Sequence, residues 1–199
     1  MIGVAFALDG TLAVSPGLEE AASAALHEET AGRRVSRAAD NARFRQIAAG
    51  MVPRYLQPLP GALRVLKELQ SLSVPVVIYS KGQSTIEDSK AAALDFSGHL
   101  LVSEDVGFAP PEPGAFAAIA RELALPAERI WYVSHDAKDV AAAEAVGMHG
   151  VHVTGQVDDV LETLREPYTR SLLGLRYIMR TALEWRAGHV VTPEDIEES

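Results

Sequence analysis

The chain contains no cysteine, which excludes disulfides and thiolate metal sites and leaves the fold to packing and hydrogen bonds. It is short of positive charge: 18 Lys and Arg stand against 27 Asp and Glu, giving a formal net charge of -9 and an isoelectric point near 5.1. That balance argues against a nucleic-acid or anionic-membrane surface, both of which need concentrated cations. No apolar run approaches the roughly 20 residues of a membrane-spanning helix. The first residues read as a strand rather than as the charged region, apolar core and cleavage site of an export leader, so the expected location is the cytoplasm. What is present is a 199-residue chain with 48% hydrophobic content, enough for one domain with a small insertion.

Strand-like apolar runs alternate with helical patterns along the chain, the mark of a parallel sheet wrapped by helices. The first run ends in Asp9-Gly10-Thr11. Ala-, Glu- and Arg-rich segments over 17–32 and 35–56 then read as two or three helices with no strand signal. Pro58 to Gly61 reads as a hinge-like return. Beyond it the pattern predicts a helix over 62–72, a strand over 74–79 and a helix over 84–94. A strand over 98–102, a helix ending at Ala124, a strand over 130–133, a helix ending at Val146 and a strand over 151–153 follow. Five strands with helical crossovers predict an α/β fold, a Rossmann-like parallel sheet flanked by helices.

Four segments carry the candidate chemistry. The run Ile2 to Leu12 resembles the first motif of the haloacid dehalogenase-like (HAD) superfamily, Asp-x-Asp-Gly-Thr. There the first Asp attacks phosphorus and the second shuttles a proton; this chain has Ala7 at the first position and Asp9 at the second. Val76 to Ser80 resembles the second motif, whose terminal hydroxyl holds a phosphate oxygen, here Ser80. Gly107 to Phe116 resembles the third, Gly-x-x-Lys-Pro-x-Pro-x-x-Phe, with Pro110 in place of the lysine. Trp131 to Asp139 resembles the fourth, Gly-Asp-x-x-x-Asp, with Ser134 and His135 in place of Gly-Asp and only Asp139 kept. The resemblance covers roughly residues 2 to 155. It implies a core over 1–13 and 59–166, a reduced helical cap over 14–58 and a C-terminal extension with an acidic tail over 167–199.

The family's magnesium is held by the nucleophile's carboxylate, a backbone carbonyl and a fourth-motif acid. A methyl at Ala7 and an imidazole at His135 remove the two nearest carboxylates, so the magnesium site is expected to be lost and no cofactor is expected. Loss of these acids together with the cation at Pro110 keeps the cleft near charge balance. Each remaining group also has a plainer reading. Asp9 can be a vestigial acid/base or a turn residue bonding nearby amides. Ser80 can be a phosphate contact or a strand-end cap, and Lys81 a solvated side chain or the one nearby cation that partly replaces the missing lysine. His135, Asp136 and Asp139 can form a zinc or nickel set or a helix cap with surface charge. His149 and His152, three apart on a strand, fall on opposite faces and are not expected to pair.

Past the motifs, Leu172, Leu175, Met179, Ala182 and Leu183 recur at helical spacing with arginines around them, predicting an amphipathic helix near 169–187. It either covers its own sheet or pairs with a second copy or a protein partner. Two function classes follow: a catalytically degenerate HAD-like protein used as a binding or regulatory module, or a phosphomonoester hydrolase with a rearranged site.

Overall fold

The computed structural model describes residues 1–31, 36–155, 157 and 159–166. The elements run β1 (Gly3–Ala7), β2 (Ala13–Val14), α1 (Leu18–Thr30), α2 (Arg37–Tyr55), β3 (Gln57–Pro58), α3 (Ala62–Ser71), β4 (Val76–Ser80) and α4 (Ser84–Ala93). They continue with β5 (His99–Val102), α5 (Ser103–Val106), α6 (Pro113–Leu123), β6 (Ile130–Ser134), α7 (Ala137–Ala145) and β7 (His149–His152). Five strands form one parallel sheet in the order β5-β4-β1-β6-β7. The predicted α/β architecture is therefore present.

β1 lies at the centre because it is apolar on both faces. Val4 and Phe6 pack into a core with Val65 and Leu69 of α3, whereas Ala5 packs into a second core with Phe116 and Ile119 of α6. In α3 the buried Ala62, Val65, Leu66 and Leu69 fall at spacings of three and four, so one stripe meets the sheet. The phenol of Tyr132 and the ring of Phe116 meet edge to face, 5.1 Å between centroids.

Between β1 and α3 the chain makes the antiparallel pair α1 and α2, which share a small core of Leu18, Ala22, Ala48 and Val52 with Ile86 of α4. The chain enters and leaves this insertion side by side. β2 and β3 pair antiparallel, Ala13 with Pro58 and Val14 with Gln57, and the Leu59 amide donates to the Leu12 carbonyl at 2.8 Å. The return at Pro58 is thus part of a short ribbon. Two strand starts also differ by two residues from the sequence reading. β4 begins at Val76 rather than Val74, and β7 at His149 rather than Val151, where the ring of His149 stacks on Trp131 at 4.2 Å. The extension 167–199, with the stripe from Leu172 to Leu183 and the partner role expected of 169–187, lies outside the described residues.

Candidate active site

Parallel strands deliver their carboxyl ends to one edge of a sheet, and here three of them converge. Ala7 and Asp9 follow β1, Ser80 and Lys81 close β4, and Ser134, His135, Asp136 and Asp139 run from β6 into α7. These residues line a single cavity of about 140 Å³, walled also by Pro110, Tyr79 and Tyr132. The structure therefore brings together every strand-end position singled out in the sequence. A wider cavity of about 600 Å³ shares Asp9 and Lys81 and extends toward α1, α2 and α4.

Asp9 is not a turn residue bonding its own backbone. Both of its carboxylate oxygens accept from the Lys90 ammonium, at 2.8 and 2.9 Å. Lys90 projects from the buried face of α4 and donates also to Glu87 Oε1 at 3.0 Å. The second oxygen of Glu87 accepts from the Ser80 hydroxyl at 2.6 Å. Ser80 is therefore neither a strand-end cap nor a free phosphate contact; it belongs to a chain Ser80, Glu87, Lys90, Asp9. Burial pushes the Glu87 carboxyl above its ordinary range, and the Asp9 charge adds to that against the pull of Lys90 and Ser80. Burial opposes charge on Lys90 too, but the two carboxylates outweigh it and hold the ammonium above its ordinary value.

Lys81 is not simply solvated, since its ammonium pairs with Asp139 Oδ2 at 2.6 Å. The cation nearest Asp9 is Lys90, not Lys81. Neither Lys90 nor Glu87 was singled out in the sequence. The signal was there: Ile86, Ala91 and Leu94 mark the inward face of α4, and Glu87 and Lys90 share it at spacing three.

The His-Asp-x-x-Asp run diverges. Asp136 caps α7 by accepting from the Lys138 amide at 2.9 Å, which holds its carboxyl below the usual range. His135 Nδ1 lies 3.2 Å from the Thr11 hydroxyl, and the His135 amide donates to that same oxygen at 3.0 Å. Asp139 turns to Lys81. Among the described residues no group of three His, Asp or Glu side chains is arranged to hold a metal ion. His149 and His152 stay apart, one ring nitrogen on the Glu128 carbonyl and the other on the His135 carbonyl, each at 2.9 Å.

Comparisons with known proteins agree with this geometry. No curated protein matches the sequence. A hydrolase from Pseudomonas syringae shares the fold with 18% identity and a TM-score of 0.61, over 83% of this chain and 99% of that one. CbbY from Rhodobacter sphaeroides, solved with phosphate, gives 15% identity and a TM-score of 0.61 over 74% and 84% of the two chains. A HAD phosphatase from Thermococcus onnurineus gives 22% and 0.58 over 77% and 86%. Likeness at such identity speaks to fold alone. The family model for a haloacid dehalogenase-like hydrolase matches residues 13–147. With that match spanning more than half of the chain, on a parallel sheet whose strand ends gather Ala7, Asp9, Ser80 and Asp139, the chain belongs to the haloacid dehalogenase-like hydrolases.

Proposed function

We propose that this chain is a catalytically degenerate member of its family, a binding or regulatory module rather than a phosphatase. The observation that carries the reading is Ala7 on the cavity wall, where the family's motif has its nucleophile. A methyl group forms no aspartyl-phosphate, and loss of a covalent nucleophile from a site that works as a unit lowers turnover by on the order of a millionfold.

The groups that could contact a phosphate support it, because Ser80 and the two lysines are already spent on neighbours. The Ser80 hydroxyl donates to Glu87, Lys90 donates to Asp9 and Glu87, and Lys81 pairs with Asp139. A phosphate would have to break these contacts to be held. Magnesium asks for an octahedron of hard oxygens. It would meet a methyl at Ala7, an imidazole at His135 and carboxylates at Asp9 and Asp139 that each hold a lysine. That donor set does not fit the ion, and no step is derived through it.

Hydrolysis of an aryl phosphate and of a panel of sugar phosphates, with and without magnesium, is expected at background. Magnesium-stimulated turnover that disappears in Asp9→Asn would overturn the proposal.

A further inference from the structure

The cleft carries the wrong charge for an anion. Asp9, Glu19, Glu20, Glu87, Asp136 and Asp139 line its two cavities, against Lys81 and Lys90 among the described residues. Both lysines are engaged by carboxylates within the protein, Lys81 by Asp139 and Lys90 by Asp9 and Glu87. A phosphate would therefore meet a net negative wall with no cation at its disposal.

A second observation concerns acceptors. Asp139, a residue lining the smaller cavity with its side chain 3% exposed, spends Oδ2 on Lys81, while Oδ1 is buried without a hydrogen-bond partner. Gln83 Oε1, from a residue lining the larger cavity, is likewise buried and unpartnered, as are the hydroxyls of Ser15 and Tyr132, which donate as well as accept. A buried acceptor left empty costs free energy that a donor would recover. Leu18, Phe44, Ala48 and Ile86 add an apolar wall to the larger cavity, suited to an alkyl chain.

We infer that the cleft binds a small alkyl amine or alkyl guanidinium and rejects phosphate. The cationic N–H groups donate to Asp139, Asp9 and the cap carboxylates, and the alkyl chain lies on Phe44 and Ile86. The inference rests on the proposed loss of phosphatase chemistry and names the ligand class that replaces it. The charge sign follows from the wall, and the donor character from the acceptor oxygens of Asp139 and Gln83.

Calorimetric titration of the full chain tests this with three probes: agmatine, 4-guanidinobutyrate and inorganic phosphate. Agmatine is expected to give a saturable isotherm that weakens with added salt. 4-Guanidinobutyrate, which exchanges one cationic end for a carboxylate, is expected to bind more weakly, and phosphate not at all. Glu20→Gln, an exposed change on α1, is expected to weaken agmatine by about two- to fivefold, and Phe44→Ala to weaken it further, with thermal unfolding confirming that both variants are folded. Saturable phosphate heat without agmatine heat, or an agmatine affinity unchanged in both variants, overturns the inference. Failure of the underlying reading shows separately, as magnesium-dependent phosphate release, whereas failure of this inference shows only in the isotherms.

Discussion

The ammonium of Lys90 donates to both carboxylate oxygens of Asp9, at 2.8 and 2.9 Å, across 81 positions of sequence. The lysine side chain is 9% exposed and the aspartate 46%, so the pair reaches from the interior to the floor of the cleft. Because Glu87, 4% exposed, accepts from the same ammonium, Lys90 serves two acids at once.

Removing that cation is expected to be costly. Lys90→Met leaves Glu87 buried with only the Ser80 hydroxyl, while Asp9 turns to water. The expected loss is about 3 to 5 kcal/mol, the range for breaking a buried pair from one side. Urea unfolding measures it, and the double variant Glu87→Gln with Lys90→Met should recover most of the loss. A single variant as stable as the parent would show that the network does not hold α4 to the sheet end.

The pH dependence of stability has an unusual sign at Glu87. Its folded carboxyl lies above the ordinary 4.5 because burial penalises the charge, so the native state holds the proton more tightly than the unfolded chain. Stability from this group is present below the ordinary value and is lost as pH rises through the folded one. In Lys90→Met the shift grows, so that variant should regain stability on acidification from neutral pH. Unfolding midpoints at several pH values, compared with the parent, decide the matter.

A second window lies in alkali. Burial pushes the Tyr79 phenol from 10.0 up to about 12, with the Glu112 charge adding to it, and its hydroxyl donates to the Phe108 carbonyl at 2.7 Å. Tyr132 and Lys90 shift the same way. In each case the native state keeps a proton that the unfolded chain releases, so the three together should make stability fall steeply above about pH 10. The tyrosinate absorbance of Tyr79 and Tyr132 should develop late and cooperatively with unfolding. Titration of Tyr79 at its free value in the folded protein would contradict the burial.

Restoring the nucleophile alone should not restore chemistry. Ala7→Asp adds a carboxylate beside Asp9, with Lys90 already committed to Asp9 and Lys81 to Asp139. The expected outcome is background turnover together with a lower unfolding temperature, since the added charge has no partner. A rate near that of ordinary phosphatases would show the rest of the site to be intact.

Gly10 combines a left-handed backbone with a close neighbour. Its φ is 72°, and an added Cβ would come within 2.5 to 2.7 Å of the His135 ring. Gly10→Ala should therefore cost about 1 to 3 kcal/mol from backbone strain, with displacement of His135 from Thr11 in addition. Denaturant midpoints, with the His135 ring followed by NMR, check both parts.

The sheet and its three converging strand ends were legible because continuous apolar runs such as Val4 to Phe6 and Trp131 to Val133 announce strands buried on both faces. A motif residue at the end of such a run has its place fixed by the strand, which is why Ala7, Ser80 and His135 meet as expected. What the residues bond to was not legible. Asp9 and Lys90 belong to different elements, and their contact depends on how α4 rolls against the sheet rather than on local spacing. Lys81 looked like the compensating cation through its nearness to Ser80, yet a residue beside a strand end points where the next turn sends it, here to Asp139.

The ribbon of β2 and β3 has an evolutionary meaning. Because the chain leaves this ribbon at Val14 and returns to it at Gln57 directly opposite, the gap to be bridged is the same whatever lies between. Closing a longer detour costs only about 0.6 kcal/mol per doubling of its length. Helices α1 and α2 can thus be lengthened, trimmed or exchanged by a lineage without re-threading a single strand of the sheet. They also supply Glu19, Glu20 and Phe44 to the cleft, so selection for a new ligand can rewrite that wall while the inherited scaffold stays as it was.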